Sequence, residues 1–183
     1  GAAAVVRGGQ TMNPSAQEIL EAVQDVQAQR VVVLPNNPNI VMAAQQAAEL
    51  CESPCTVIAS RTVPQGIAAL LAYNPDLDSD ANIAAMTNAL SSVRSGEITV
   101  AVRDGSINGV SVTAGQAIAL LDGTLTTAGA TTEEALLGLL EHASAGDDEL
   151  VTLYSGAEVS SEVAEQDAAT VRQRWPSIEV EVI

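Results

Sequence analysis

The sequence contains no lysine and no phenylalanine, and among its 183 residues there are one tryptophan, one histidine and two cysteines. Each shortage removes some chemistry. Without lysine there is no Walker-type phosphate-binding Lys, no Schiff base and no Ser–Lys pair. His142, Cys51 and Cys55 are too few to close a zinc site. With aromatics at 2%, the core has to be built from Val, Ile, Leu and Ala. Positive charge is also scarce: seven Arg stand against 23 acidic residues, for a net charge of -16. That field repels phosphate backbones and anionic lipid heads, so neither nucleic acid nor a membrane surface is an expected partner. The apolar runs fall short of the ~20 residues a membrane helix needs, and no basic-apolar leader opens the chain. A cytoplasmic location is therefore expected. The chain starts on Gly1 in an apolar run, which reads as a segment of a longer protein.

Secondary structure is written in caps, turns and periodicity. Residues 2–6 (AAAVV) read as a short strand. Ser15-Ala-Gln-Glu18 is a capping box, followed by Ile19, Leu20, Val23 and Val26 at helical spacing. Residues 31–34 read as a fully buried strand, Asn39 opens a helix to about Leu50, and residues 56–59 form a third strand. Pro64 suits the first turn of the helix that follows. Strands alternating with helices on short joints imply a parallel sheet. The polar stretch Asn74-Pro-Asp-Leu-Asp-Ser-Asp80 marks a boundary, giving a parallel α/β part over 1–75 and an α+β part with a mixed sheet over 76–183. In the second part a helix is expected near 80–93 and a β-rich run at 98–102. Asp104-Gly105, Asn108-Gly109 and Asp122-Gly123 are turn signals for an antiparallel meander over 110–112, 117–121 and 124–127. A capped helix at 132–142, a strand at 150–154, a helix at 160–174 and a strand at 178–182 complete it.

Candidate site residues lie in the loops that follow the three strands expected in the first part. These loops are Arg7-Gly-Gly-Gln-Thr-Met-Asn-Pro-Ser15, Pro35-Asn-Asn-Pro-Asn39 and Ser60-Arg-Thr-Val-Pro-Gln-Gly66. In a parallel sheet, ligands sit outside the carboxyl ends of the strands, and helix N-termini there favour an anion or polar acceptor. Gly9, Gln10, Thr11, Asn13, Ser15, Asn36, Asn37, Asn39 and Gln65 are the candidate ligand-binding residues, joined by Arg103 as a carboxylate or partner anchor. Two readings stand side by side: Asn and Ser also cap helices and make turns with no ligand present, and Arg103 also suits a surface ion pair with Asp104. None of the three loops carries a carboxylate or a His, so no general base is evident. Asp76, Asp78 and Asp80 fail as a calcium loop, because Ala81 stands where Gly is needed and Thr87 where the bidentate Glu belongs. They read as a solvated linker that caps a helix. Cys51 and Cys55 read as buried thiols, and His142 as a cation at a helix C-terminus.

Several of these runs together carry a resemblance: Gly8-Gly-Gln-Thr-Met-Asn-Pro-Ser15, Leu34-Pro-Asn-Asn37 with Asn39-Ile40, Thr62-Val-Pro-Gln-Gly-Ile-Ala-Ala-Leu-Leu71, and Ala101-Val-Arg-Asp104. They resemble the C-terminal region of the ATP-binding subunit of bacterial fatty acid kinase, a family related to dihydroxyacetone kinase and often labelled DAK phosphatase. The resemblance covers nearly the whole chain. It implies a fold shared with DegV-like proteins and the dihydroxyacetone-binding kinase subunit. It also implies an N-terminal kinase domain, outside this chain, that holds ATP and magnesium, so no cofactor is expected here. Thr11-Met-Asn-Pro-Ser15 is similar to the Thr-Ser-x-Pro-Ser loop that holds a lipid head group in DegV-like proteins; Thr11 and Ser15 match, and Met12 replaces the first Ser. The implied role is a non-catalytic domain that docks a DegV-like acyl-binding protein during fatty acid phosphorylation. A module binding a fatty acid carboxylate or phosphate is the alternative, and the phosphatase of the family label a second one. A homodimer also stands open.

Overall fold

The structure, a computed structural model, describes residues 1–8, 12–157 and 159–183. It divides into two compact units, 1–95 and 96–183.

The first unit runs α1 (Ala16–Asp25), β1 (Val31–Val33), α2 (Val41–Glu49), β2 (Cys55–Val57), α3 (Val63–Leu71) and α4 (Ser79–Ala89). β1 and β2 pair in parallel, Val31 opposite Cys55 and Val33 opposite Val57. Successive strand residues face opposite sides, and the two faces bury different helices. Val31, Val33, Cys55 and Val57 pack on Ile19, Leu20 and Val23 of α1 and on Ala44 and Ala47 of α2. Val32 and Leu34 pack with Ile58, with Ala69 of α3 and with Met86 of α4. Helices on both faces explain why this strand is an unbroken apolar run rather than an alternating one.

The strand expected at residues 2–6 is not formed: the segment is exposed and irregular, Val5 included. Three Ala and two Val supply apolar character without a partner strand or a cluster to join. The ladder of this unit therefore holds two strands among the described residues, and β1 is half-buried rather than fully buried. The division at residues 95 and 96 also differs from the boundary expected after residue 75. Asn74–Asp80 does not release the chain into a new unit, because Asn82 ties it back. The Asn82 side chain accepts from Asn74 N–H and donates to the carbonyls of Asn74, Leu77 and Asp78.

The second unit begins with β3 (Gly96–Val100), β4 (Gly105–Ile107), β5 (Val110–Val112), β6 (Ala117–Leu121) and β7 (Thr124–Gly129). It ends with α5 (Thr132–His142), β8 (Leu150–Leu153), α6 (Ser161–Arg174) and β9 (Glu179–Val182). The expected meander is rearranged. β6 sits between β3 and β7 in an antiparallel sheet, while β4 and β5 form a separate hairpin inserted between β3 and β6. Gly105 starts a strand instead of making a turn. Asp104 works as a loop acceptor, taking Ala114 N–H at 2.7 Å. β8 and β9 pair in parallel through α6, so the unit contains strands of both senses in separate ladders. Two hairpins turn on Asn108-Gly109 and Asp122-Gly123, each pair with positive φ at both residues, the geometry of a type I′ turn.

One face of α5 packs on the antiparallel sheet: Leu139 and Ala135 meet Ala117 and Ala119. Leu136 and Leu140 join Ala168, Val171, Ile178 and Val180 in a second cluster with α6 and the parallel pair. Small residues bring α5 close to the sheet. A Cβ on Gly129 would lie 2.8 Å from the Ala135 backbone nitrogen, and one on Gly138 2.9 Å from Thr127 Oγ1.

Candidate functional site

All the strand-end loops belong to the first unit, and contacts between them can be traced. A Cβ at Gly8 would lie 3.7 Å from Ile40 Cδ1, so the loop before α1 runs beside the end of the loop after β1. That second loop is bonded in turn to the loop after β2. Asn36 N–H donates to Ser60 Oγ at 3.0 Å, and Ser60 Oγ–H donates back to Asn36 Oδ1 at 2.7 Å. Ser60 is fully buried. Asn36 adopts a left-handed φ of 57°, a conformation Asn tolerates better than most residues. Its side chain fills the space left by the missing Cβ of Gly66, which would collide with Asn36 Oδ1. Three sequence-distant residues thus form one clasp that ties the exits of β1 and β2 to the first turn of α3.

The other candidates are placed as follows. Asn37 Oδ1 accepts Asn39 N–H at 2.9 Å, an Asx turn leading into α2, which starts at Val41 rather than at Asn39. Gln65 Oε1 accepts Arg61 N–H at 2.8 Å, while Gln65 N–H donates to Thr62 Oγ1, the cap of α3. Thr62 Oγ1 and Ser95 Oγ share a hydrogen bond of 2.6 Å. Ser15 caps α1 in the expected capping box with Glu18. Its backbone and hydroxyl hydrogen bonds hold the Glu18 carboxyl below the usual carboxylate range. Asn13 is exposed. Gly9, Gln10 and Thr11 lie outside the described residues. Arg103 is exposed in the second unit, not among the loops of the first. The ion pair with Asp104 is not formed among the described residues.

Ser60, Thr62, Gly66 and Ser95 were not legible as site residues. A single Ser after a strand carries no motif. Gly66, however, sits within a helix, where Gly costs ~1 kcal/mol against Ala, and such a Gly signals a close approach. Arg7 and Arg61 flank the loops, are exposed, and make no ion pair among the described residues. They put positive charge beside an otherwise neutral polar edge.

Residues outside the loops read as the sequence suggested. Asp78 caps α4 through Ala81 N–H, and Asp80 pairs with Arg30 at 3.0 Å. No cluster of three His, Cys, Asp or Glu among the described residues could hold a metal ion, so this acidic stretch does not fit magnesium. Cys51 and Cys55 are free thiols, both half-buried. Burial pushes the Cys55 thiol up to about 11, with the neighbouring Cys51 adding to the effect. Among the described residues no helix is long and apolar enough to cross a membrane.

An acidic α/β chain with a polar, loop-built edge and neither carboxylate nor His in those loops is the class that fold and site define. The chain belongs to the FakA-like C-terminal family of fatty acid kinase subunits, whose model matches residues 1–183. It is 44% identical over 182 residues to Protein YloV of Bacillus subtilis (strain 168), covering 100% of this chain and 33% of that protein. It is 37% identical over 181 residues to an uncharacterized protein of Staphylococcus haemolyticus, covering 99% of the chain and 33% of the relative. An uncharacterized protein of Staphylococcus aureus (strain MRSA252) is 34% identical over 182 residues, with 100% and 33% covered. The chain therefore spans about a third of the length of these relatives.

Proposed function

We propose that this chain is the non-catalytic C-terminal domain of a dihydroxyacetone kinase-like fatty acid kinase subunit, and that it docks an acyl-binding, DegV-like protein. The partner presents the fatty acid carboxylate, and phosphorylation takes place in the kinase segment, where ATP and magnesium are held. The family match over residues 1–183 is the observation that carries this reading. The makeup of the loop edge supports it: its side chains are Asn, Ser, Thr, Gln and Arg, which can hydrogen-bond a partner but offer no general base. Mixing the chain with a DegV-like acyl-binding protein and following association by calorimetry tests it. Binding is expected from the chain alone, without ATP turnover. Turnover by the chain alone would overturn the non-catalytic assignment, and absence of binding beside a working full-length control would overturn the docking role.

One observation favours a second reading. Exposed Arg7 and Arg61, without ion pairs among the described residues, suit an anion such as a fatty acid carboxylate or phosphate at the strand ends. If that reading holds, Arg61→Gln weakens binding of the free ligand and leaves protein association unchanged.

A further inference from the structure

Helix α3 (Val63-Pro-Gln-Gly-Ile-Ala-Ala-Leu-Leu71) carries no charge on any side. At 100° per residue its positions fall into two faces. Gly66 and Ala69 form the buried one, against Asn36 and against Ile58 and Met86. On the opposite face Val63, Ile67, Leu70 and Leu71 make an apolar stripe. Val63 and Leu70 are exposed, and Leu71 is 81% exposed. The stripe runs on beyond the helix through exposed Tyr73 and Leu77. A surface helix ordinarily turns polar residues to water, and a contiguous exposed apolar patch marks an interaction site.

The rim of the stripe selects the occupant. Asp76 and Asp78 are exposed at its far end, Asp78 already bound to the start of α4, and the whole chain carries a charge of -16. A second copy would bring the same charge to the contact and be repelled. A partner whose face is apolar at its centre and basic at its edge is matched by both features. The stripe also starts at Thr62 and Gln65, so a protein seated on it lies next to the polar clasp.

We propose that the α3 stripe, centred on Val63, Ile67, Leu70 and Leu71, is the docking face for the acyl-binding partner, which meets it with an apolar patch edged by Lys or Arg. This rests on the docking role proposed for the chain and gives it a location. The test uses the full-length protein that carries this chain and a DegV-like acyl-binding protein loaded with palmitate, with the dissociation constant measured at low and high salt. Val63→Ser with Leu71→Ser, both at exposed positions, should weaken binding by about tenfold or more, as loss of a central apolar anchor does. Leu71→Met should keep it within about twofold. Asp76→Asn should reduce the loss of affinity caused by salt. Unchanged affinity in the doubly substituted protein, with its circular dichroism intact, would overturn this surface while leaving the docking role in place. No binding by the wild-type protein would overturn both. If the double substitution abolished self-association in sedimentation instead, the occupant would be a second copy and the proposal would fail.

Discussion

The two units hold their loops by different means. In the first, the strand exits are fixed by side chains bonded across long sequence gaps, with Asn36, Ser60 and Gly66 in one contact. In the second, the connections are local: Asn108-Gly109 and Asp122-Gly123 turn through positive φ and need little from elsewhere. Their cores differ to match. The first unit divides its apolar contacts between two faces of a two-stranded ladder. The second centres them on α5, whose two sides serve a sheet and a helix with its parallel pair. A loop built from neighbouring residues is stable wherever it is placed. A loop built from distant ones exists only when its whole unit is folded, so its geometry reports on that unit.

The substitution expected to strain this contrast most is Leu139→Ala. Leu139 is 4% exposed between α5 and the antiparallel sheet, and truncation of such a residue costs about 2–5 kcal/mol. Hydrogen exchange should then accelerate across 96–183 while amides of β1 and β2 keep their protection. Equal acceleration in both units would show that they unfold as one, and the contrast would collapse.

Next is Gly66→Ala, which drives a methyl into Asn36 Oδ1 and should cost about 1–3 kcal/mol by urea denaturation. Adding Asn36→Gly, which removes the obstructing side chain and still permits positive φ, should recover part of the loss. Strict additivity of the two changes would mean that the clasp is not a coupled unit.

Ser60→Ala should cost about 1–2 kcal/mol, since it leaves both Asn36 N–H and Asn36 Oδ1 without their buried partner. The effect belongs in the urea midpoint of the first unit, and its appearance in the second would break the comparison.

The smallest effect concerns pH. The Cys55 thiol is raised from 9.0 to about 11 in the folded chain. The unfolded chain therefore loses this proton first. Stability from this group is complete below pH 9, declines as pH rises from 9 to 11, and levels off above that. Denaturation midpoints measured across that window should show the decline in wild type and a shallower one in Cys55→Ala. An identical slope in the two would remove the thiol from the account.

What the sequence made legible was local. Helix starts were written in single residues: Ser15, Asp78, Thr131 and Ser160 each accept the backbone N–H three positions on. The two hairpin turns were likewise readable because only a few residues tolerate φ > 0. Pairing between strands was not. β3 joins β6 across an inserted hairpin, and nothing in either segment names its partner. Residues 2–6 failed as a strand for the same reason, since apolar composition says a segment wants burial but not that a neighbour exists. At the strand ends, Asn36 was recognised as polar and well placed. Its bonds to Ser60 and its contact with Gly66 depend on where three distant segments meet, which no periodicity records.

The clasp also bears on how quickly anything can recognise this edge. Asn36 is held in its uncommon backbone state by folding itself, so the exits of β1 and β2 present one conformation before a partner arrives. Association then has less loop entropy left to remove, and the encounter need not wait for rearrangement. The polar edge is a rigid template, and the work of ordering it is completed once, when the chain folds.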